Sequence, residues 1–434
     1  LQQGLPVGDV LYYYGDQGYN FVMPKHVDPS LGFGFDYDVT NADALVNRLQ
    51  TRGGKLVLPD GVRYEVLVLP DREDIDLAVL KRIEGLVRDG AAVVGRRPSR
   101  SSGYSGFPAR DEQVRGLAAK LWSGCDGASR KQVPYGKGRV VCGGTLRELL
   151  ADRGVGPDFR FTSRQTGTDL DFVHRTSPEA EIYFVHNKKR RWEEFEAEFR
   201  VKGRQPELWD AATGERRDQA EFEFTSQGTR FTLRLEPEGS VFVVFRRPGR
   251  PKPARTMAPP ASPARAAVPG PWTVRFTGGP AAPEPLQLAT LRSWTASSDP
   301  KERHFSGIAE YEPDLEIPAG WIAKDRRVIL DLGSLWAAAD VRLNGRDLGV
   351  VWKGPFRVDL SSAARAGKNR LLVRVANNWV NRLAGDGALP EAERTTRTNV
   401  LTTGTNAGAA WRDVRLRESG LMGPVTVALE PALR

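Results

Sequence analysis

Apolar positions change their period twice along the 434-residue chain, and each change marks a boundary. From Val10 to Leu150, short apolar runs alternate with stretches of helical period. VLYYY (Val10 to Tyr14) reads as a buried strand, Ala42 to Leu49 as a helix, and YEVLVL (Tyr64 to Leu69) as a second strand. Ile75, Val79, Ile83, Leu86 and Val87 then recur every three to four residues with Leu80 beside them, which predicts a helix stopped by Gly90. AAVV (Ala91 to Val94) and Arg139 to Cys142 read as further strands, Asp111 to Trp122 and Thr145 to Leu150 as helices. Such alternation implies parallel strands with helices on both faces. The expectation for residues 1–154 is a doubly wound α/β domain, flavodoxin-like or amidotransferase-like.

Over residues 155–247 the period becomes two. DFVHRT, EIYFVHN, FEAEFRV, FEFT, RFTLRLE and SVFVVF are separated by turn residues at the intervals of a β-sandwich. Phe195, Ala197 and Phe199 should face the core, with Glu193, Glu194, Glu196 and Glu198 on a solvated strand face. Residues 248–270 are proline-rich and read as a semi-extended tether. Residues 271–434 return to a β pattern, including ADVRLNG, in which Val341 and Leu343 alternate with Arg342 before a hairpin-forming Asn344–Gly345. A second sandwich, a jelly roll, is the expectation there.

The net charge of +9 raises nucleic acid as a partner. Its distribution argues otherwise: Arg246, Arg247, Arg250, Lys252, Arg255 and Arg265 lie where no acidic residue occurs between Arg246 and Gly270. No apolar run is long enough to span a bilayer. Cys125 and Cys142 allow one disulfide, but two buried free thiols are the simpler expectation. Leu1 to Gly18 carries no signal-peptide pattern, so a start upstream of Leu1 is expected.

Candidate chemistry is sparse. The α/β region has no G-x-G-x-x-G or P-loop spacing, and no cysteine at a strand-to-helix elbow with a nearby histidine. His26, His174, His186 and His304 show no metal-ligand spacing, and no metal site is expected. His174 and His186 read as satisfied sheet residues. His26, Asp36 and Asp38 lie in or beside the long loop after the first strand, where doubly wound sheets meet ligands, and are candidates for facing a substrate. In the last region, Trp321, Trp336, Trp352, Trp379 and Trp411 are interleaved with polar groups that suit sugar hydroxyls. Trp352, Trp379, Asn381, Arg382 and Asp386 are the carbohydrate-binding candidates, because NNWVNRLAGD is polar and lies beyond a strand end.

LQQGLPVGDVLYYYGDQ, GFDYDVTNADAL, FVHRT, EIYFVHN, ELWDAATGE and GSVFVVF resemble the regions that follow the catalytic barrel in glycoside hydrolase family 106, the α-L-rhamnosidases. FSGIAEYE, LDLGSLWAAADVRLNGRDLGVVWKGPFRVDL and NRLLVRVANNWVNRLAGD resemble that family's galactose-binding-like domain. The tether and the stretch Thr395 to Trp411 depart from the family pattern. The resemblance implies inverting, calcium-assisted release of terminal rhamnose by an exported enzyme, extracellular or periplasmic. It places the catalytic glutamates and any calcium in a barrel upstream, so no catalytic residue is assigned here. The chain is expected to be inactive alone, with a rhamnose-containing glycan and the barrel as partners. A carbohydrate-binding protein without hydrolysis and a set of purely structural modules are the alternatives.

Overall fold

The computed structural model describes residues 1–15, 31–252, 264–400 and 408–431. The chain folds as two compact units, Leu1–Thr256 and Met257–Arg434. Both are built mostly of β-strands. Among the described residues no helix is long and apolar enough to cross a membrane.

The first unit begins with a sheet whose parallel members are Val10–Tyr13, Tyr37–Thr40, Val66–Val68, Ala92–Val94 and Gly138–Val141. Numbered along the chain, they stand side by side in the order 2-1-3-4-5, with Gln132–Tyr135 antiparallel at the edge. That is the order of a doubly wound sheet of the flavodoxin type. Successive residues of each strand serve opposite faces. Leu11, Leu67, Val93 and Val140 pack with helix Leu77–Arg88, whereas Val10, Val66, Ala92 and Val141 pack with helix Leu146–Asp152. Each fully buried Val or Leu contributes roughly 1.5–3 kcal/mol relative to exposure. Helix Leu77–Arg88 starts where the Asp76 carboxylate accepts the Ala78 N–H at 2.7 Å.

The free-thiol expectation is corrected here, because Cys125 and Cys142 form a disulfide. The turn after helix Ala109–Leu121 and the end of strand Gly138–Val141 bring their Cα atoms to 6.2 Å, within the range a disulfide spans.

Besides two small sheets, one of Gln50–Arg52, Lys55–Val57 and Arg63–Tyr64 and one of Asp74–Ile75 and Arg100–Ser101, the rest of this unit has two larger ones. One runs Leu5–Pro6, Leu170–Thr176, Glu181–Asn187, Ser240–Pro248, Arg204–Asp210, Arg216–Asp218; the other Phe159–Ser163, Glu193–Phe199, Thr229–Leu235, Glu223–Phe224. Phe159, Phe172, Phe195, Phe199, Phe231 and Phe245 fill the space between them. Leu5–Pro6 adds antiparallel to Leu170–Thr176, so the chain starts in the sandwich before entering the parallel sheet. The solvated-face reading holds for Glu194 and Glu196 only. Glu198 is buried between its cross-strand neighbours Arg160 and Arg230, and Glu193 is buried against Arg191 and Thr168. Alternation set the parity correctly for Glu198 but carries no information about which arginines cover it.

The second unit also has two main sheets. Arg265–Ala267, Thr426–Pro431, Arg326–Asp331 and Arg357–Asp359 form one; Leu286–Leu288, Trp272–Thr277, Ile308–Glu312, Gly367–Ala376, Ala338–Leu343 and Arg346–Val351 form the other, with Asp314–Ile317 also paired to Gly367–Ala376. Alternate residues such as Val341, Leu343, Val373, Val375, Leu330 and Val427 make the core. Asn344 and Gly345 take positive φ of 53° and 82° between paired Leu343 and Arg346, as a two-residue hairpin turn requires. Both ends of the stretch 248–270 pair with neighbouring strands. Strand Ser240–Pro248 and a Lys252–Phe222 bridge hold one side, and Arg265–Ala267 is already a strand on the other.

Candidate functional site

In the second unit, Ala339 pairs with Val351 and Ala338 with Ala376. Trp352 follows Val351, Trp336 precedes Ala338 by two residues, and Trp379 follows Ala376 by three. All three tryptophans therefore leave the same end of three adjacent strands, which lie about 4.8 Å apart. They are exposed at 63% for Trp352, 54% for Trp379 and 39% for Trp336. Trp336 was not among the favoured candidates, because only the strand register places it beside the other two.

The polar candidates behave differently. Asn381, Arg382 and Asp386 are buried on helix Val380–Gly387. The Asn381 amide donates to Arg417 O at 2.8 Å and accepts the Arg417 N–H at 2.8 Å. Asp386 accepts N–H groups from Thr395 at 3.1 Å and Thr396 at 2.7 Å, and stands 3.7 Å from Arg382. Asn381 and Asp386 spend their hydrogen bonds on neighbouring loops, and Arg382 is buried beside Asp386, so none of the three is a side chain open to a sugar. A polar run beyond a strand end looks solvent-exposed in sequence; these residues instead satisfy backbone that would otherwise be buried unpaired.

In the first unit, His26 lies outside the described residues. Asp36 and Asp38 do not sit at the carboxyl ends of the parallel strands. Asp36 lies at the amino end of strand Tyr37–Thr40, where its carbonyl accepts the Asp9 N–H at 2.8 Å, and Asp38, within that strand, accepts the Tyr64 hydroxyl at 2.8 Å.

That same amino end holds a charged cluster that periodicity did not reveal. Asp9 precedes the first parallel strand and is ion-paired with Arg200 at 2.9 Å. Arg200 also reaches Asp158 at 3.3 Å, and Asp158 binds His174 Nδ1 at 2.8 Å and the Tyr183 hydroxyl at 2.8 Å. His174 Nε2 meets Glu181 at 3.1 Å while its ring stacks on Tyr183 with centroids 3.8 Å apart. Burial alone would lower the His174 pKa, but Asp158 and Glu181 reverse this and raise it to about 9. Burial raises Asp9 to about 6 against the opposing pull of Arg200. The sequence signal available was an acid beside the apolar run VLYYY, which is weak alone. Among the described residues no group of three His, Cys, Asp or Glu side chains has a metal-site arrangement.

Comparison with known proteins adds the family. The model of the α-L-rhamnosidases of glycoside hydrolase family 106 matches residues 1–223. The solved rhamnosidase from Novosphingobium sp. PP1Y is 34% identical, with a TM-score of 0.77 over 99% of this chain and 39% of that one. A putative β-glucuronidase from Formosa agariphila is 33% identical over 255 residues, 58% of this chain and 20% of that protein. The chain thus spans well under half the length of either relative. It belongs to glycoside hydrolase family 106, the α-L-rhamnosidase family.

Proposed function

We propose that this chain is the accessory, carboxy-terminal part of a glycoside hydrolase that releases terminal α-L-rhamnose from polysaccharides or glycosides. Its second unit, read as a galactose-binding-like jelly roll, contacts the glycan. The observation that carries this reading is the placement of Trp336, Trp352 and Trp379 at one end of three neighbouring strands. Exposed flat aromatic rings suit the apolar faces of sugar rings. In this reading the catalytic carboxylates and any calcium belong to an upstream barrel, which is the first unit's partner within the same polypeptide. No nucleic acid partner is assigned. The Cys125–Cys142 disulfide supports an exported, extracellular or periplasmic setting.

Hydrolysis of aryl α-L-rhamnoside and aryl β-D-glucuronide by residues 1–434 tests the accessory reading. The glucuronide is included because the Formosa relative is named a putative β-glucuronidase. Neither substrate is cleaved if the reading is right; turnover of either one overturns it.

A further inference from the structure

Helix Val380–Gly387 in the second unit carries small residues where neighbouring segments close on it. At about 100° per residue, Gly385 and Gly387 fall on opposite flanks of a stripe made by Ala384 and Ala388. A Cβ on Gly385 would lie 2.7 Å from His304 Cγ, and one on Gly387 would lie 2.8 Å from the Arg412 backbone nitrogen. His304 therefore approaches one flank and Arg412 the other. The alanine stripe is the floor of a pocket of ≈ 580 Å³ that all four of these segments line, a volume in the range of small-molecule sites.

Both walls are cationic. Arg303 stands beside His304, and Arg415 follows the turn Trp411–Asp413; both line the pocket, are exposed, and have no ion-pair partner among the described residues. Arg412 has its neighbour Asp413 at 3.8 Å. Glu418 is the one carboxylate in the lining among the described residues. Burial, with Arg303 and Arg382 nearby, holds His304 below the usual histidine range, so its ring is neutral at neutral pH and the arginines set the charge. A guanidinium takes a carboxylate through two parallel N–H···O bonds. The floor helix begins directly after Trp379, and Ala384 lies about 8 Å along its axis from that ring's Cα. On the other side Trp336 pairs with Gly420, two residues beyond Glu418. The pocket thus adjoins the tryptophan end.

We propose that this pocket binds the carboxylate of a uronate residue in the glycan that the second unit contacts, with Arg303 and Arg415 as the pairing groups. The inference rests on that glycan-contacting reading, and its test separates the two.

The probes are a rhamnose–galacturonate tetrasaccharide and its carboxyl-reduced form, in which each uronate has become galactose. In calorimetry the wild type should bind the acidic form about tenfold more tightly. Arg303→Gln/Arg415→Gln should abolish that preference while leaving the affinity for the reduced form and the circular dichroism unchanged, since both side chains are exposed. Arg365→Gln/Arg370→Gln removes the same charge from exposed positions outside the pocket and should keep the preference. Equal affinity of the wild type for the two forms overturns the pocket and leaves the glycan reading standing, whereas binding of neither overturns both. A preference that survives Arg303→Gln/Arg415→Gln, or that is lost equally in Arg365→Gln/Arg370→Gln, overturns the pocket as well.

Discussion

Asp158 and His174 are both buried and lie 2.8 Å apart through Oδ2 and Nδ1. The geometry makes His174 a cation at neutral pH. Its folded pKa, about 9, stands above the ordinary value of 6.5, so the protonated form is favoured by folding. The corresponding stability, on the order of 3 kcal/mol, is fully present below pH 6.5 and is lost as pH rises through about 9. Denaturant midpoints of the wild type and His174→Gln should therefore differ most near pH 6.5 and converge above about pH 9.

Asp9 shifts upward too, to about 6, and for a carboxylate this reverses the usual sign. The folded state holds the proton more tightly than the unfolded chain, so this group's contribution is greatest below pH 3.8 and declines as pH rises through about 6. Subtracting the stability curve of Asp9→Asn from that of the wild type isolates the effect. The difference should fall between pH 4 and 6 and stay flat above.

Removing Asp158 takes from His174 and Arg200 the buried carboxylate they share, leaving only Glu181 and Asp9 as their respective partners. Asp158→Ala should cost about 3–5 kcal/mol, as breaking a buried pair does. Equilibrium unfolding in urea followed by near-ultraviolet circular dichroism measures it, with Tyr183 stacked on His174 as the local reporter.

The disulfide closes a loop with a sequence separation of 17, which corresponds to about 3 kcal/mol of stabilisation in the chain-entropy account. Cys125→Ser/Cys142→Ser should lower the unfolding free energy of the first unit by that much, read from the guanidinium midpoint and slope. The same loss should follow addition of a reductant to the wild type.

Much of the fold was legible because period and burial coincide. In the parallel sheet Val66 and Leu67 serve opposite faces, so the strands read as continuous apolar runs. In the sandwich Phe195, Ala197 and Phe199 face one core, so alternation shows. Contacts between distant segments were not legible. Nothing near Leu5 indicates that it pairs with Thr176, and nothing near Asp9 points to Arg200. The candidate site divides in the same way. Trp352 and Trp379 could be singled out as aromatics beyond strand ends, whereas Trp336 joins them only through the pairing of Ala338 with Ala376. Asn381 and Asp386 were misread because a polar side chain that satisfies buried backbone looks, in sequence, like one that faces water.

The most direct test of the account is retardation of the chain in native gels cast with a rhamnose-rich polysaccharide. Wild type should be retarded, and Trp336→Ala/Trp352→Ala/Trp379→Ala should lose most of that retardation while keeping its circular dichroism, since all three rings are exposed. Equal retardation of the two proteins, or none in the wild type, would contradict a glycan-contacting role for the tryptophan end.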